Sequence, residues 1–215
     1  MRRTKEEAAQ TREAIIDAAE ELFIKRGYES TSLTDIANSA GITRGAVHWH
    51  FQNKEGLLKA IRERIELPLE QLTELLSSND LVDPLEALAD TIGSILHKYQ
   101  SDIRLRQLTR LLLQYELNRE NSESDEKSME HHAREVVTEV LVRAQRKSPF
   151  PVHWTPESGA LAFVGLVSGL LSEWVRGNTD YELVPQVENV VCSVLTTWGA
   201  ELSGLPETSK KSVNE

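Results

Sequence analysis

Two short helical segments joined by a glycine turn, within residues 32–51, constrain the fold of this chain more than any other feature. Ser32 begins a capping-box pattern and starts the first segment, which is expected to end near Gly41. Thr43 can cap the second segment, and Gly41 permits the left-handed turn between the two. A third helix, with Asn53 as its cap, follows directly. This order is the one that a helix-turn-helix reader of the DNA major groove requires.

The rest of the chain shows helical periodicity, and alternation of the strand kind is missing. We therefore predict an all-α fold of about nine helices, with a three-helix helix-turn-helix domain at the N-terminus and a larger helical bundle after it. The first helix should stop at Gly27, where a C-cap glycine follows two basic residues. The predicted domains are residues 1–53 and 54–205, followed by a disordered tail over 206–215. Further helices are expected over 54–77, 83–100, 102–118, 127–146, 156–177 and 184–203.

Pro68 falls inside the long helix expected from Lys54 to about Ser77. A proline there removes the backbone bond to Arg64, so we predict a kink or break between Arg64 and Pro68. Such a kink lies between the helix-turn-helix segment and the predicted bundle.

Composition limits the classes of function. Residues 1–54 carry equal numbers of basic and acidic side chains, so the whole net charge of −10 lies in the rest of the chain. Acidity there would confine DNA binding to one end. The single cysteine, Cys192, excludes an internal disulfide, and no signal peptide or apolar stretch near the ~20 residues of a membrane span is found. We expect a cytoplasmic protein with no cofactor, no metal site and no membrane partner. No catalytic arrangement stands out, so an enzyme is not expected.

The run TSLTDIANSAGITRGAVHWHFQNKEGLL resembles the DNA-binding signature of the TetR family of bacterial repressors. With MRRTKEEAAQTREAII and the Gly-Leu-x-x-x-Trp element that ends at Trp174, the chain is similar to the branch that represses multidrug efflux-pump operons. The resemblance implies a homodimer on palindromic operator DNA, released by a small apolar or amphipathic effector. Our hypothesis is that ligand entry moves the segment at Pro68 and changes the spacing of the DNA-reading helices; the alternative is a kink that only fits the bundle. An alternative is a DNA-binding regulator or architectural protein without such an effector, its bundle serving only for dimerisation or a protein partner.

Arg44 can bond a guanine through both guanidinium nitrogens, and Gly45 leaves room for the backbone to approach DNA. The resemblance implies that Thr43, Arg44 and Gly45 contact bases or nearby backbone. It also implies that His50 and Lys54 contact phosphates. His48 replaces the tyrosine usual in the family, so DNA affinity should rise as the pH falls if its imidazole bonds a phosphate. Trp49 and Phe51 are interpreted as wedges of the small core rather than base stackers. The full predicted DNA-contacting set is Thr31, Ser32, Thr43, Arg44, Gly45, His48, Trp49, His50 and Lys54.

The helix near residues 156–177 is apolar around its whole circumference, so it should be buried on every side, partly against a second subunit. The resemblance implies that the last two helices form a four-helix interface with their copies. The predicted interface residues are Gly165, Leu166, Gly169, Val187, Val191, Val194, Leu195 and Trp198. The resemblance also implies a ligand pocket, whose predicted lining is Ile65, Leu69, Ile92, Leu96, Leu111, Tyr115, Val137, Leu141, Val164, Ser168, Leu171 and Trp174. Ordinary core packing is the alternative for each lining residue.

Overall fold

The computed structural model describes residues 5–65, 83–117, 129–177 and 179–201. All regular structure in these ranges is helical, which confirms the predicted fold class. A short π-helical segment, Leu183–Val187, lies before the last helix. The described ranges contain nine α-helices: α1 (Lys5–Arg26), α2 (Leu33–Ser39), α3 (Arg44–Phe51), α4 (Lys54–Arg64), α5 (Pro84–Ser101), α6 (Ile103–Leu117), α7 (Met129–Lys147), α8 (Pro156–Arg176) and α9 (Glu188–Thr197).

The helices form two compact units, which divide the chain differently from the predicted boundary at residue 53. The first unit contains α1 to α4 together with α6, and the second contains α5, α7, α8 and α9. α4 and α6 belong to the first unit because their apolar faces complete the core that α1 begins. Leu57 and Ile61 of α4 are buried there, as are Leu108 and Leu112 of α6. The predicted tail over 206–215 lies outside the described residues.

Local side-chain bonds begin each helix of the helix-turn-helix pair and the helix after it. The Asp35 backbone N–H donates to the Ser32 hydroxyl at 3.1 Å, and the Ser32 N–H donates to the Asp35 carboxylate at 2.9 Å. Thr43 accepts from the N–H of Ala46 at 3.2 Å and so caps α3. Asn53 accepts from the N–H of Gly56 at 2.8 Å and caps α4. These bonds satisfy helix N–H groups that have no partner within the helix, and they confirm the three predicted caps.

The end of α4 lies where the sequence predicts a break. α4 stops at Arg64, and Ile65 leaves the helical region with φ −77° and ψ 79°. Residues 66–82, which include Pro68 and Leu69, lie outside the described residues. The break therefore begins within one residue of Arg64, and the proposed role of Pro68 stays a prediction.

α8 runs through the second unit and packs closely on α7. Thr155 and Ser158 form a capping box at its start, and the chain leaves it at Gly177 with φ 79°. A Cβ at Gly159 would stand 2.8 Å from the Leu141 Cδ1 atom of α7, so a larger residue would require the Leu141 side chain to shift. The core continues into an aromatic group in which Trp198 contacts Phe163 at a ring-centroid distance of 6.0 Å.

The last helix begins later than predicted. The expected start at residue 184 is wrong because Val184 precedes Pro185 and is extended, with φ −117° and ψ 125°. The Gln100 side chain of α5 accepts from the Val184 N–H at 2.8 Å and so satisfies a backbone group outside the helix. α9 proper is therefore Glu188–Thr197, and Gly199 follows with φ 100°.

α8 is long and apolar enough to meet the length and composition criteria for a membrane span, which the sequence analysis did not expect. About 39% of its most apolar window is buried within the structure. Core helices of soluble proteins pass the same test, so this observation is weak evidence for a membrane.

Candidate nucleic-acid interface

One face of α3 belongs to the core of the first unit, and the opposite face is open to solvent. Val47 lies on the core-facing side of α3 and is fully buried, whereas Arg44, His48 and Trp49 are exposed. Gly45 lies beside them, and a Cβ added there would meet only the Thr43 hydroxyl at 3.9 Å. The exposed face thus combines a guanidinium, an imidazole and an indole with a backbone stretch that has no covering side chain.

Trp49 and Phe51 take opposite positions. Phe51 is 6% exposed and packs in the core, as its interpretation as a wedge requires. Trp49 is 73% exposed, so the same interpretation is wrong for this residue. Its ring makes an edge contact with the His50 ring at 4.6 Å between centroids. Positions 49 and 51 differ by about 200° around a helix, which is why one indole faces solvent while the phenyl ring is buried.

A tight turn joins α3 to α4. Gln52 has φ 58° and ψ −50°, and the Asn53 N–H donates to the Phe51 carbonyl at 2.5 Å, which makes Gln52 the centre of a strained γ-turn. The Nδ1 atom of His48 lies 2.7 Å from the Gln52 carbonyl oxygen. Any Cβ at position 56 would stand 2.3 Å from the Phe51 carbonyl, so Gly56 is required at this junction. The turn fixes where α4 begins relative to the recognition helix.

Two predicted contact residues lie just before α2. Thr31 is 1% exposed, and its hydroxyl donates to the Gly27 carbonyl at 2.8 Å. Its side chain belongs to the core, and the assignment of Thr31 as a DNA contact stays a prediction. Ser32 is exposed, and its hydroxyl takes part in the capping box.

Lys54 has a structural partner that the sequence did not predict. Its ammonium donates to the Tyr28 carbonyl at 2.8 Å and lies 4.3 Å from the centre of the Tyr28 ring. Tyr28 also packs edge-on against Tyr115 of α6 at 4.9 Å, and the Tyr115 hydroxyl donates to Glu55 at 3.2 Å. Burial, followed by the nearby Tyr115 and Glu55 side chains, raises the pKa of Tyr28 above its usual value. The start of α4 is thereby tied to the α1–α2 loop and to α6.

The far end of α4 is held by a charged cluster that sequence analysis missed. Glu20 of α1 has a side chain only 3% exposed, and Arg64 donates to it at 3.1 Å and to Asp17 at 2.7 Å. Arg104 of α6 forms a second ion pair with Glu20. Hydrogen bonds to Asp17 and Glu20 outweigh the effect of burial and raise the pKa of Arg64. The sequence places Glu20 on the apolar stripe of α1, four residues after Ile16 and three before Phe23, but it does not indicate the partners of Glu20.

The predicted pocket residues are divided between the two units. In the first unit Leu111 is buried, and Ile65 and Tyr115 are half-buried. Leu111 and Tyr115 line a cavity of about 380 Å³, together with Phe23 and Tyr28. In the second unit Ser168 and Leu171 are half-buried. The remaining predicted residues of this unit are buried, namely Ile92, Leu96, Val137, Leu141, Val164 and Trp174. Their role as one pocket stays a prediction.

The predicted dimer residues fall into two groups. Val187, Val191, Leu195 and Trp198 are at most 3% exposed within the chain itself, so their side chains serve its own core. Their place in a dimer interface stays a prediction. Gly165 and Gly169 are exposed with open space around them, and Leu166 and Val194 are half-buried. Two apolar side chains that the prediction omitted, Leu161 and Val190, are exposed at 59% and 43%.

Comparison with known proteins adds family evidence. Residues 15–61 match the model of bacterial regulatory proteins of the tetR family, and residues 83–199 match the C-terminal region of MAATS-type transcriptional repressors. The repressor BepR of Brucella suis is 32% identical over 198 residues, which cover 91% of this chain and 95% of BepR.

Two solved structures have the same fold. NalD, the secondary repressor of the MexAB-OprM multidrug efflux pump in Pseudomonas aeruginosa, superposes with a TM-score of 0.74 at 32% identity, over 90% of this chain and 98% of NalD. SmeT of Stenotrophomonas maltophilia, in complex with triclosan, superposes with a TM-score of 0.74 at 27% identity. The match covers 96% of this chain and 100% of SmeT. Family match and architecture agree: the chain belongs to the TetR family of bacterial transcriptional regulators, which are DNA-binding proteins and not enzymes.

Proposed function

We propose that this protein is a cytoplasmic homodimeric repressor of a multidrug efflux operon, released from its operator by a small, largely apolar ligand. The observation that carries the proposal is the exposed face of α3, where Arg44, His48 and Trp49 surround Gly45 without a covering element in the first unit. A major groove admits an α-helix, and an uncovered, polar and aromatic helix face fits that use.

The DNA contacts follow from the chemistry of this face. The Arg44 guanidinium bonds a guanine edge, and the Trp49 ring packs on apolar base edges such as thymine methyl groups. Ser32, Thr43, Gly45, His50 and Lys54 contact the phosphate backbone or nearby atoms. Lys54 reaches phosphate with the N–H groups that its bond to Tyr28 does not use, since an ammonium carries three.

The dimer interface uses the exposed sides of α8 and α9. Leu161, Gly165 and Gly169 lie at spacings of four residues and form one stripe along α8. Open space at both glycines allows a second helix to approach closely. Val190 and Val194 give α9 a matching apolar edge. Two-fold symmetry then presents two α3 helices to half-sites about 34–36 Å apart on a palindromic operator.

Ligand release is supported by the relatives. NalD is described as a repressor of a multidrug efflux pump, and SmeT was solved with triclosan, a small molecule. In this chain the second-unit residues of the predicted pocket are mostly apolar. The Ser168 hydroxyl and the Trp174 indole N–H add polar groups, and this combination suits an amphipathic ligand.

The test is a selection from random duplex DNA with the full-length protein. We expect a two-fold symmetric motif to be enriched and triclosan to release it while changing the fluorescence of the buried Trp174. Absence of any enriched motif contradicts the DNA-binding proposal. A motif that no member of a panel of efflux-pump substrates releases contradicts the ligand-release part alone. A Leu161→Glu variant that remains dimeric contradicts the assigned interface.

A further inference from the structure

The hydrogen bond between His48 and Gln52 fixes which imidazole nitrogen carries the proton. A carbonyl oxygen only accepts hydrogen bonds, so the Nδ1 atom 2.7 Å from it must carry a hydrogen. In neutral imidazole the other nitrogen, Nε2, then has a lone pair and no hydrogen. A lone pair cannot donate to a phosphate oxygen, so neutral His48 offers the DNA backbone no hydrogen bond through Nε2.

Protonation changes this contact without disturbing the turn. The imidazolium keeps its Nδ1–H on the Gln52 carbonyl and gains an Nε2–H with a positive charge. Because the bond to Gln52 is kept, the strained γ-turn and the start of α4 stay in place. Since His48 lies on the exposed face of α3, the new donor is added to the face that carries Arg44 and Trp49.

We propose that His48 is a proton-dependent phosphate contact, so that operator binding takes up one proton per subunit and weakens as the pH rises. This inference rests on the proposed function, because it needs the α3 face to meet DNA. Imidazole side chains exchange this proton between about pH 5 and 8. Affinity is therefore highest at the acidic end of that range and falls towards the alkaline end, as the protonated form is lost.

The charged groups of the elements packed on α3 do not supply the same pH dependence. From α2, Asp35 is bound by Ser32; from α4, Lys54 bonds Tyr28 and Glu55 accepts from Tyr115. From α1, Arg12 lies over the Phe51 ring at 5.4 Å. Carboxylate, lysine and arginine side chains ordinarily titrate outside the range of imidazole.

On α3 itself, Arg44 stands one turn before His48, and His50 contacts Trp49. His50 is the other imidazole on this helix, so it needs its own control.

The test measures duplex affinity between about pH 5.5 and 8.5 at constant ionic strength, using a motif selected by the wild type. We expect wild-type affinity to fall by roughly tenfold for each subunit, the difference that a charge-assisted hydrogen bond makes. His48→Gln keeps an N–H donor for Gln52 and cannot titrate, so its affinity should change little with pH. His132→Gln in the second unit should retain the full wild-type dependence. His50→Gln should retain the part of the dependence that His48→Gln removes.

A second measurement on the wild type does not depend on any variant folding. Calorimetric titration with the duplex in buffers of different ionisation enthalpy counts the protons taken up, and we expect net uptake near pH 6.5 that His48→Gln removes. Binding with no proton uptake overturns the inference and leaves the proposed function standing. A pH dependence lost in His50→Gln but kept in His48→Gln also overturns it. Failure to bind any duplex removes both.

Discussion

Removing Arg64 tests how the cluster around Glu20 holds α4 in the first unit. The Glu20 side chain is 3% exposed, while Arg64 is 31% and Arg104 is 60% exposed. Loss of one partner from a buried ion pair costs about 3–5 kcal/mol, because the remaining charge stays in a poorly hydrated site. In Arg64→Ala, Arg104 still neutralises part of the Glu20 charge. We therefore expect the free energy of unfolding to fall by about 3 kcal/mol, the lower limit of this range.

Arg104→Ala should lower the free energy of unfolding by less, about 1 kcal/mol. Its guanidinium is mostly solvated, and Glu20 retains its ion pair with Arg64. Arg143→Ala, which breaks an exposed pair with Glu139 on α7, is the matched control and should stay within about 0.5 kcal/mol. Urea unfolding followed by circular dichroism, at equal protein concentrations, measures the three values. Equal losses for Arg64→Ala and Arg104→Ala, or a loss below about 1 kcal/mol for Arg64→Ala, would refute the role assigned to the buried charge.

Three further predictions concern the turn, the cap and the interface. Gly56→Ala should lower the free energy of unfolding in urea by more than about 1 kcal/mol, the cost of an ordinary mutation. The added Cβ would stand 2.3 Å from the Phe51 carbonyl oxygen, so the backbone would have to shift. Thr43→Ala should cost about 1 kcal/mol through the lost cap of α3, whereas Thr43→Ser should restore most of it. Leu161→Glu should shift sedimentation towards monomer while the circular dichroism spectrum stays helical. Glu130→Gln, an exposed position on α7 outside the assigned interface, should leave the dimer intact.

Features that depend on neighbours in the sequence could be predicted well. The caps at Ser32, Thr43 and Asn53 and the turn glycine Gly41 use groups within four residues of one another. Helix bounds in the first half of the chain follow from these signals. The late start of α9 was missed, although Pro185 carried the local signal that its preceding residue would be extended.

Features that depend on distant residues could not be read from the chain. The partners of Glu20 lie 44 and 84 residues away, and no periodicity points to them. An apolar helix surface also does not say which side faces the protein's own core. Val191 and Val190 are neighbours in sequence, yet the first is buried and the second is exposed. Trp49 was misjudged for the same reason, since a large ring predicts burial only where a core is present to receive it.

Operator recognition by this protein depends on base reading by the exposed face of α3. The most direct measurement is the affinity of wild type and Arg44→Ala for a selected duplex and for its single base-pair substitutions at fixed salt. We expect Arg44→Ala to lose about 1–3 kcal/mol and its preference at one position in each half-site, with preferences elsewhere unchanged. An equal loss on every duplex, like the uniform effect expected of Lys54→Ala, would contradict base reading by this helix.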